Sequence, residues 1–298
     1  MPIAAGGGPR TILWAVLLLW TAAAAFPCIT ARAQQAGGND PGLELVDPKV
    51  LRVCSDPSNL PFSNERGEGF ENKLAEMFAA KLDKTLAYTW YPQSTGFVRQ
   101  TLGSFRCDVI MGFPQGDDLV QSTNPYYRSV YVLVLKPGTD LDGVDTLGDP
   151  RLHDKHLGVV AGTPPATYLV AHDLMAKAKP YSLVVDTRVD SVGRAMTKDI
   201  ASGEIDAGVL WGPIAGYYAR QTTPPLRIVP LLKEGRGPAL TYHITMGVRP
   251  VDQGWKRRLN QLIQENQPDI TKLLLSYGVP LLDEKGGLIT DASSAGKP

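Results

Sequence analysis

The chain has 298 residues, 43% of them hydrophobic and 20% charged, with Lys plus Arg balancing Asp plus Glu at 30 each. That is enough apolar material for one large domain or two modest ones. The zero net charge removes the electrostatic footprint of a protein that coats nucleic acid or an anionic membrane.

Arg10 precedes an uncharged apolar run from Thr11 to Phe26, shorter than the roughly 20 residues of a membrane-spanning helix. Ala31-Arg32-Ala33 supplies an A-x-A cleavage site, so residues 1–33 read as a signal peptide. Cys28 lacks the small preceding residues of a lipidation site. The expectation is an exported chain, periplasmic, with no membrane insertion once the signal is removed. Residues 34–48 are polar and glycine-bearing and read as a flexible leader. Cys54 and Cys107 then remain. An even count in an oxidising compartment favours a disulfide, whereas their places at the end of one strand and the start of another argue for separation. Both readings stay open on the sequence.

From Lys49 onward strand-like and helix-like segments alternate. Val50–Cys54 is a β-rich run, and Phe70, Leu74, Met77, Phe78 and Leu82 recur at helical spacing. Leu86–Trp90 returns to strand character, Ser94-Thr95 is placed to cap a short helix ended by Gly103, and Val109–Met111 and Val130–Leu135 are further strands. After a polar stretch come strand Leu157–Val160, a helix opened by Thr163-Pro164, strand Val184-Val185 and a helix over Val192–Ile200 closed by Gly203. Strand Ala207–Leu210 leads into a helix at Gly212-Pro213. The last segments are strand Ile244–Val248 and two amphipathic helices, with Gly278 and Pro280 stopping the second. Repeated βαβ units imply parallel sheets wrapped by helices, here in two α/β series.

Catalytic patterns fail one by one. His153 and His156 lie in a charged loop, no cysteine pair has zinc-site spacing, and Arg151 stands where a calcium loop needs Glu. Ser191 lacks the first glycine of a nucleophile elbow, and no phosphate- or dinucleotide-binding glycine pattern occurs. The reading is therefore a non-enzyme with no cofactor and no metal. Ligands of open α/β sheets bind beyond the carboxyl ends of the strands. The loops there carry Asp56, Asn59 and Phe62, then Gln93, then Gly112 and Phe113, then Gly162 and Thr163, and finally Trp211. Polar contacts are expected from Asp56, Asn59 and Gln93, and apolar walls from Phe62, Phe113 and Trp211. Backbone access is expected at Gly112 and Gly162, and anion-favouring N–H groups at the Thr163 helix start.

The run Leu51-Arg52-Val53-Cys54-Ser55-Asp56, with Leu60-Pro61-Phe62-Ser63, Gly67 to Leu74, Asn124-Pro125-Tyr126-Tyr127, Val160-Ala161-Gly162-Thr163 and Gly203-Glu204-Ile205-Asp206-Ala207, resembles the type II periplasmic solute-binding proteins of the polar amino-acid class. The resemblance runs from about Lys49 to Leu282. It implies an α/β fold of two lobes joined by two crossover strands, near Tyr131–Leu135 and Thr241–Thr245. Lobe 1 would hold residues 49–133 and 243–285, lobe 2 would hold 134–242, and 286–298 would be a disordered tail.

Two departures bear on function. Amino-acid binders of that class carry an arginine after the strand end at Gly112 to clamp a carboxylate; here Phe113-Pro114-Gln115-Gly116-Asp117-Asp118 has none. They also carry an acid where Trp211 stands, to neutralise the ammonium. A standard amino acid is thus an unexpected ligand. The stretch Arg52 to Asn64, with Gly67 to Lys73, Tyr88 to Gln93, Gly96 to Arg99 and Arg106 to Ile110, is similar to the quinoprotein-dehydrogenase-associated MxaJ/XoxJ branch. That resemblance implies an accessory role beside a periplasmic pyrroloquinoline-quinone-dependent methanol or alcohol dehydrogenase. The alternative is a receptor that delivers a small solute to an ABC transporter. A third, an enzyme like cyclohexadienyl dehydratase, is disfavoured by the missing carboxylate clamp.

Overall fold

The computed structural model describes residues 45–291. The signal peptide over 1–33 with its cleavage site and Cys28, most of the leader, and residues 292–298 lie outside the described residues. Among the described residues no helix is long and apolar enough to cross a membrane.

In chain order, β1 (Val50–Ser55) is followed by the two-residue strands β2 (Ser58–Asn59) and β3 (Ser63–Asn64), helix α1 (Phe70–Lys81) and β4 (Thr85–Trp90). A one-turn helix α2 (Phe97–Gln100) leads to β5 (Val109–Pro114), β6 (Gln121–Ser122) and the long β7 (Tyr127–Leu135). The second series is β8 (Leu157–Val160), α3 (Pro164–Ala171), β9 (Lys179–Tyr181), α4 (Val192–Ser202), β10 (Ala207–Trp211), α5 (Gly212–Ala219) and β11 (Arg227–Pro230). The chain returns through β12 (Thr241–Val248), α6 (Gln253–Glu265), α7 (Gln267–Ser276), β13 (Leu281–Leu282) and β14 (Leu288–Ile289).

The main sheet runs β4-β1-β5-β12-β7-β10-β8-β9. Strands β4, β1 and β5 are mutually parallel neighbours, as are β10, β8 and β9. The two halves meet at an antiparallel ribbon in which Thr241–Ile244 of β12 pairs with Val130–Tyr127 of β7. Beyond it, β7 pairs with β10 and β11, whereas β12 pairs with β5. These two strands are the crossovers, and the architecture is the two-lobed periplasmic binding protein type. Each lobe has its own core. One packs Leu51, Val53, Phe70, Phe78, Trp255, Leu259 and Leu274 between β1, α1, α6 and α7. The other packs Leu157, Val159, Leu169, Met196, Ile200, Val209 and Ala215 between β8, β10, α3, α4 and α5.

Local chemistry explains the element ends. Asn72 in the first turn of α1 turns its side-chain oxygen back to accept the N–H of Gly69 (3.1 Å) and of Asn64 (3.0 Å), satisfying donors that helix geometry leaves open. Gly203 closes α4 at φ +85°, a left-handed conformation that costs a glycine little. At the lobe junction, Gly216 of α5 lies backbone to backbone on Gly278, leaving no room for a Cβ. Arg220 then donates to the carbonyls of Ser276 (2.9 Å) and Leu275 (3.1 Å) at the end of α7, where a cation meets the negative end of the helix dipole.

Four expectations change. Ser94-Thr95 does not cap a helix: α2 begins after Gly96, whose φ of +93° makes the turn, and lasts one turn. Val184-Val185 is not a strand; the partner of β8 is Lys179–Tyr181, and Val184 lies 63% exposed in the loop that follows. The Thr163 hydroxyl does not cap α3, because it donates to the Val160 carbonyl (2.6 Å) instead. Ordered chain also continues past Lys285, since Leu288–Ile289 pairs with Leu281–Leu282.

Cys54 and Cys107 are bridged. They sit on adjacent strands: β1 and β5 pair at Val53 and Val109, so Cys107 just ahead of β5 comes within 5.4 Å of Cys54 between Cα atoms. Arg249 locks the same corner, donating to the Cys107 carbonyl (2.5 Å) and to Asp108 (2.7 Å), a carboxylate that also takes two bonds from Arg52. Closing a loop with a sequence separation of 53 restricts the unfolded chain by about 4 kcal/mol. Cys107→Ser is therefore expected to lose about that much unfolding free energy in urea titrations. Thiol titration of denatured protein lacking residues 1–33 should find none until reductant is added.

Candidate functional site

The strand-end loops of both lobes face a cleft, and Asp56 organises it. This side chain is 2% exposed. It follows β1, and its carboxylate accepts the N–H of Ser58 (2.8 Å) and the N–H of Gln93 (2.6 Å). It also accepts the hydroxyl of Thr187, 3.0 and 3.1 Å from its two oxygens. Thr187 belongs to the segment after β9, so this bond joins the lobes across the cleft. Tyr218 of α5 makes a second crossing bond, to the Leu60 carbonyl (3.3 Å).

Two chambers flank Thr187. The inner one, of about 410 Å³, is lined by Asn59, Phe62 and Gln93 from lobe 1, by Tyr131 of the crossover strand β7, and by Val160, Thr163, Trp211 and residues of the segment 183–193 from lobe 2. Asn59 donates to the Gln93 side-chain oxygen (2.9 Å), so these two amides hold one another. Trp211 stands edge-on to Tyr131 (5.3 Å between centroids) and to Tyr242 (5.8 Å). Burial, with Tyr242 beside it, pushes the Tyr131 phenol up to about 12, so it remains a hydrogen-bond donor at neutral pH. The outer chamber, of about 580 Å³, shares Ser58, Leu60, Thr187, Asp190 and Ser191 with the inner one and adds Arg66, Arg188 and Arg194. Arg66 is paired with Glu68 and Arg188 with Asp186 (2.7 Å each).

Asn59, Phe62, Gln93, Thr163 and Trp211 thus line one chamber, with Asp56 bonded to its rim. The other expected residues do not line it. A side chain at Gly112 would collide with the Glu71 carboxyl, which already fills that space. Phe113 is 8% exposed and points into a small core with Cys54, Cys107 and Phe97. Gly162 serves the turn at φ +77° ahead of α3. Thr163 is present without the expected anion-binding N–H groups. Pro164 and Pro165 occupy the first two helical positions and carry none, while the N–H groups of Thr163 and Ala166 are taken by the carbonyls of Val160 and Thr163. Tyr131, Thr187 and Asp190 are absent from the expected set. Tyr131 reads as an ordinary strand residue, and nothing local marks Thr187. Asp190, inside the polar interruption Asp186 to Asp190, carried the one usable signal.

Among the described residues lining the inner chamber, Asp190 is the single charged side chain. Outside the chamber lining, Glu71 is buried against Gly112 and close to Tyr126. Burial first, and the charge of Asp56 second, push its carboxyl up to about 8. A proton therefore stays on Glu71 through neutral pH.

Residues 111–267 match the family described as bacterial extracellular solute-binding protein. Protein MoxJ of Methylorubrum extorquens is 31% identical over 273 residues, covering 86% of this chain and 90% of that one. The crystal structure of the periplasmic binding protein XoxJ from Methylobacterium extorquens AM1 shares 42% identity, with a TM-score of 0.68 over 78% of this chain and 99% of that one. The crystal structure of MxaJ from Methlophaga aminisulfidivorans MPT shares 26% identity, with a TM-score of 0.67 over 78% of this chain and 100% of that one.

The raised Glu71 pKa has a definite sign for stability. Unfolded, the carboxyl ionises near its ordinary value of 4.5, whereas the folded chain holds the proton up to about 8. Folding therefore binds an extra proton between those values, and stability falls as pH rises through that window. Glu71→Gln is expected to remove this loss. Its Tm should match the wild type near pH 4.5 and exceed it increasingly up to pH 8, as measured by calorimetry.

Proposed function

The chain belongs to the MoxJ family of bacterial extracellular solute-binding proteins, and from that membership we propose that it is a periplasmic, non-catalytic accessory protein that supports assembly or activation of a quinoprotein methanol or alcohol dehydrogenase. The MxaJ/XoxJ resemblance carried by Arg52 to Asn64 ties the chain to that class of enzyme. The observation that supports it most is the state of the cleft. An amino acid needs a cation for its carboxylate and an anion for its ammonium, both preorganised, because buried charges without partners are costly. Here Trp211 stands at the acid's position. The helix start at Thr163 has prolines in place of donors, and Asp117 and Asp118 lie exposed away from the inner chamber. Asp56 meanwhile bonds Thr187 of the opposite lobe directly.

A second reading, a receptor handing a solute to an ABC transporter, draws support from the inner chamber itself. Its volume of about 410 Å³ falls within the range of small-molecule pockets. The partner separates the two readings. Affinity capture with the tagged chain should recover a quinoprotein dehydrogenase, and deleting the chain should lower that enzyme's periplasmic activity at least about tenfold. Calorimetry with the standard amino acids should give no heat at millimolar concentration. Unchanged dehydrogenase activity with no complex, together with micromolar binding of a small solute other than a standard amino acid, would establish the transport receptor instead.

A further inference from the structure

The inner chamber has a chemical bias beyond its rejection of zwitterions. Phe62 from one lobe, Trp211 from the other and Tyr131 of the crossover strand β7 bring aromatic surface to it. The Trp211 ring is fixed by edge contacts at 61° to Tyr131 and 80° to Tyr242, so it is not free to turn away. The charged residue on the wall is Asp190, and Asp56 lies just behind the rim, bonded to Thr187. Anions find no counterpart. Pro164 and Pro165 remove the donors of α3, and Arg66, Arg188 and Arg194 line the chamber on the other side of Thr187. No group of three potential metal ligands occurs among the described residues, so a bare metal ion has no cage here.

We propose that the inner chamber binds an organic cation with a compact methylated body, of the quaternary ammonium class. This rests on reading the cleft as a solute site and is independent of which protein the chain assists. Ring faces carry negative electrostatic potential and attract such a cation, most strongly at tryptophan. A methylated ammonium sheds its water more readily than a primary one and needs no hydrogen-bond acceptors. On the wall, the Asn59 amide N–H bonds Gln93, the Thr163 hydroxyl bonds the Val160 carbonyl and the Thr187 hydroxyl bonds Asp56. Asp190 supplies the countercharge from the rim, where it lines both chambers.

Three probes of similar size test this by calorimetry on the chain lacking residues 1–33: choline, its neutral isostere 3,3-dimethylbutan-1-ol, and glycine betaine. Choline should bind most tightly, the neutral alcohol at least about tenfold more weakly for want of cation–π attraction, and glycine betaine similarly weakened by its unpaired carboxylate. Trp211→Leu should weaken choline at least about tenfold. Asp190→Asn, an exposed substitution that folding tolerates, should reduce the ratio of choline to alcohol affinity, with thermal melts confirming a folded chain. Choline giving no heat at millimolar concentration overturns the proposal, as does an alcohol or betaine affinity equal to that of choline. A dehydrogenase complex that forms while choline fails to bind removes this inference alone; choline binding without any complex removes the accessory reading alone.

Discussion

A carboxylate withdrawn from water must be given donors by the chain around it, and Asp56 receives them from three separate segments. Ser58 fixes the turn immediately after β1, Gln93 fixes the loop after β4, and Thr187 brings in the segment after β9 from the opposite lobe. Much of the cleft follows from that convergence. The position of Gln93 determines where Asn59 finds its amide partner, and the position of Thr187 divides the space into an aromatic chamber and an arginine-bearing one. With α5 seated on the end of α7 through Gly216, Gly278 and Arg220, the lobes are joined at the junction and across the mouth.

The fold was readable because apolar periodicity reports burial. Phe70, Leu74 and Phe78 mark a buried helical face, and the short apolar runs at Leu157–Val160 and Ala207–Trp211 mark buried strands that pair in parallel. The same signal misleads where apolar residues serve a loop. Val184 and Val185 look like a strand, yet the ladder beside β8 is completed earlier by Lys179–Tyr181, and the valines line the cleft instead. The candidate site was readable in part for a related reason. Residues whose side chains leave a strand end toward the cleft, such as Phe62, Gln93 and Trp211, are found by topology alone. Thr187 is not, since its role depends on a hydrogen bond across 131 positions of sequence. Gly112 and Phe113 were misplaced because a strand-end loop has two faces. Here one is filled by Glu71, and the other belongs to the core around the disulfide.

The helix start at Thr163 shows how little sequence is needed to change a site. A second proline after the first leaves helix geometry intact, because neither first-turn position needs its N–H for the ladder. It nevertheless removes the donors that would face an anion. Trp211 at the end of β10 adds an aromatic wall to the same chamber. A protonated Glu71 outside the chamber lining adds no charge at neutral pH. What remains is a cleft whose two sides are joined directly, by Thr187 to Asp56 and by Tyr218 to the Leu60 carbonyl.

The direct test of that account is the distribution of distances between the lobes in the absence of any solute. Spin labels at Ala80 on α1 and Lys198 on α4, both exposed, allow it to be read by pulsed electron paramagnetic resonance. A single narrow distance is predicted for the unliganded chain, broadening when Asp56→Asn weakens the bond to Thr187. A distribution that is already broad in the wild type, and that narrows only when an amino acid is added, would contradict it.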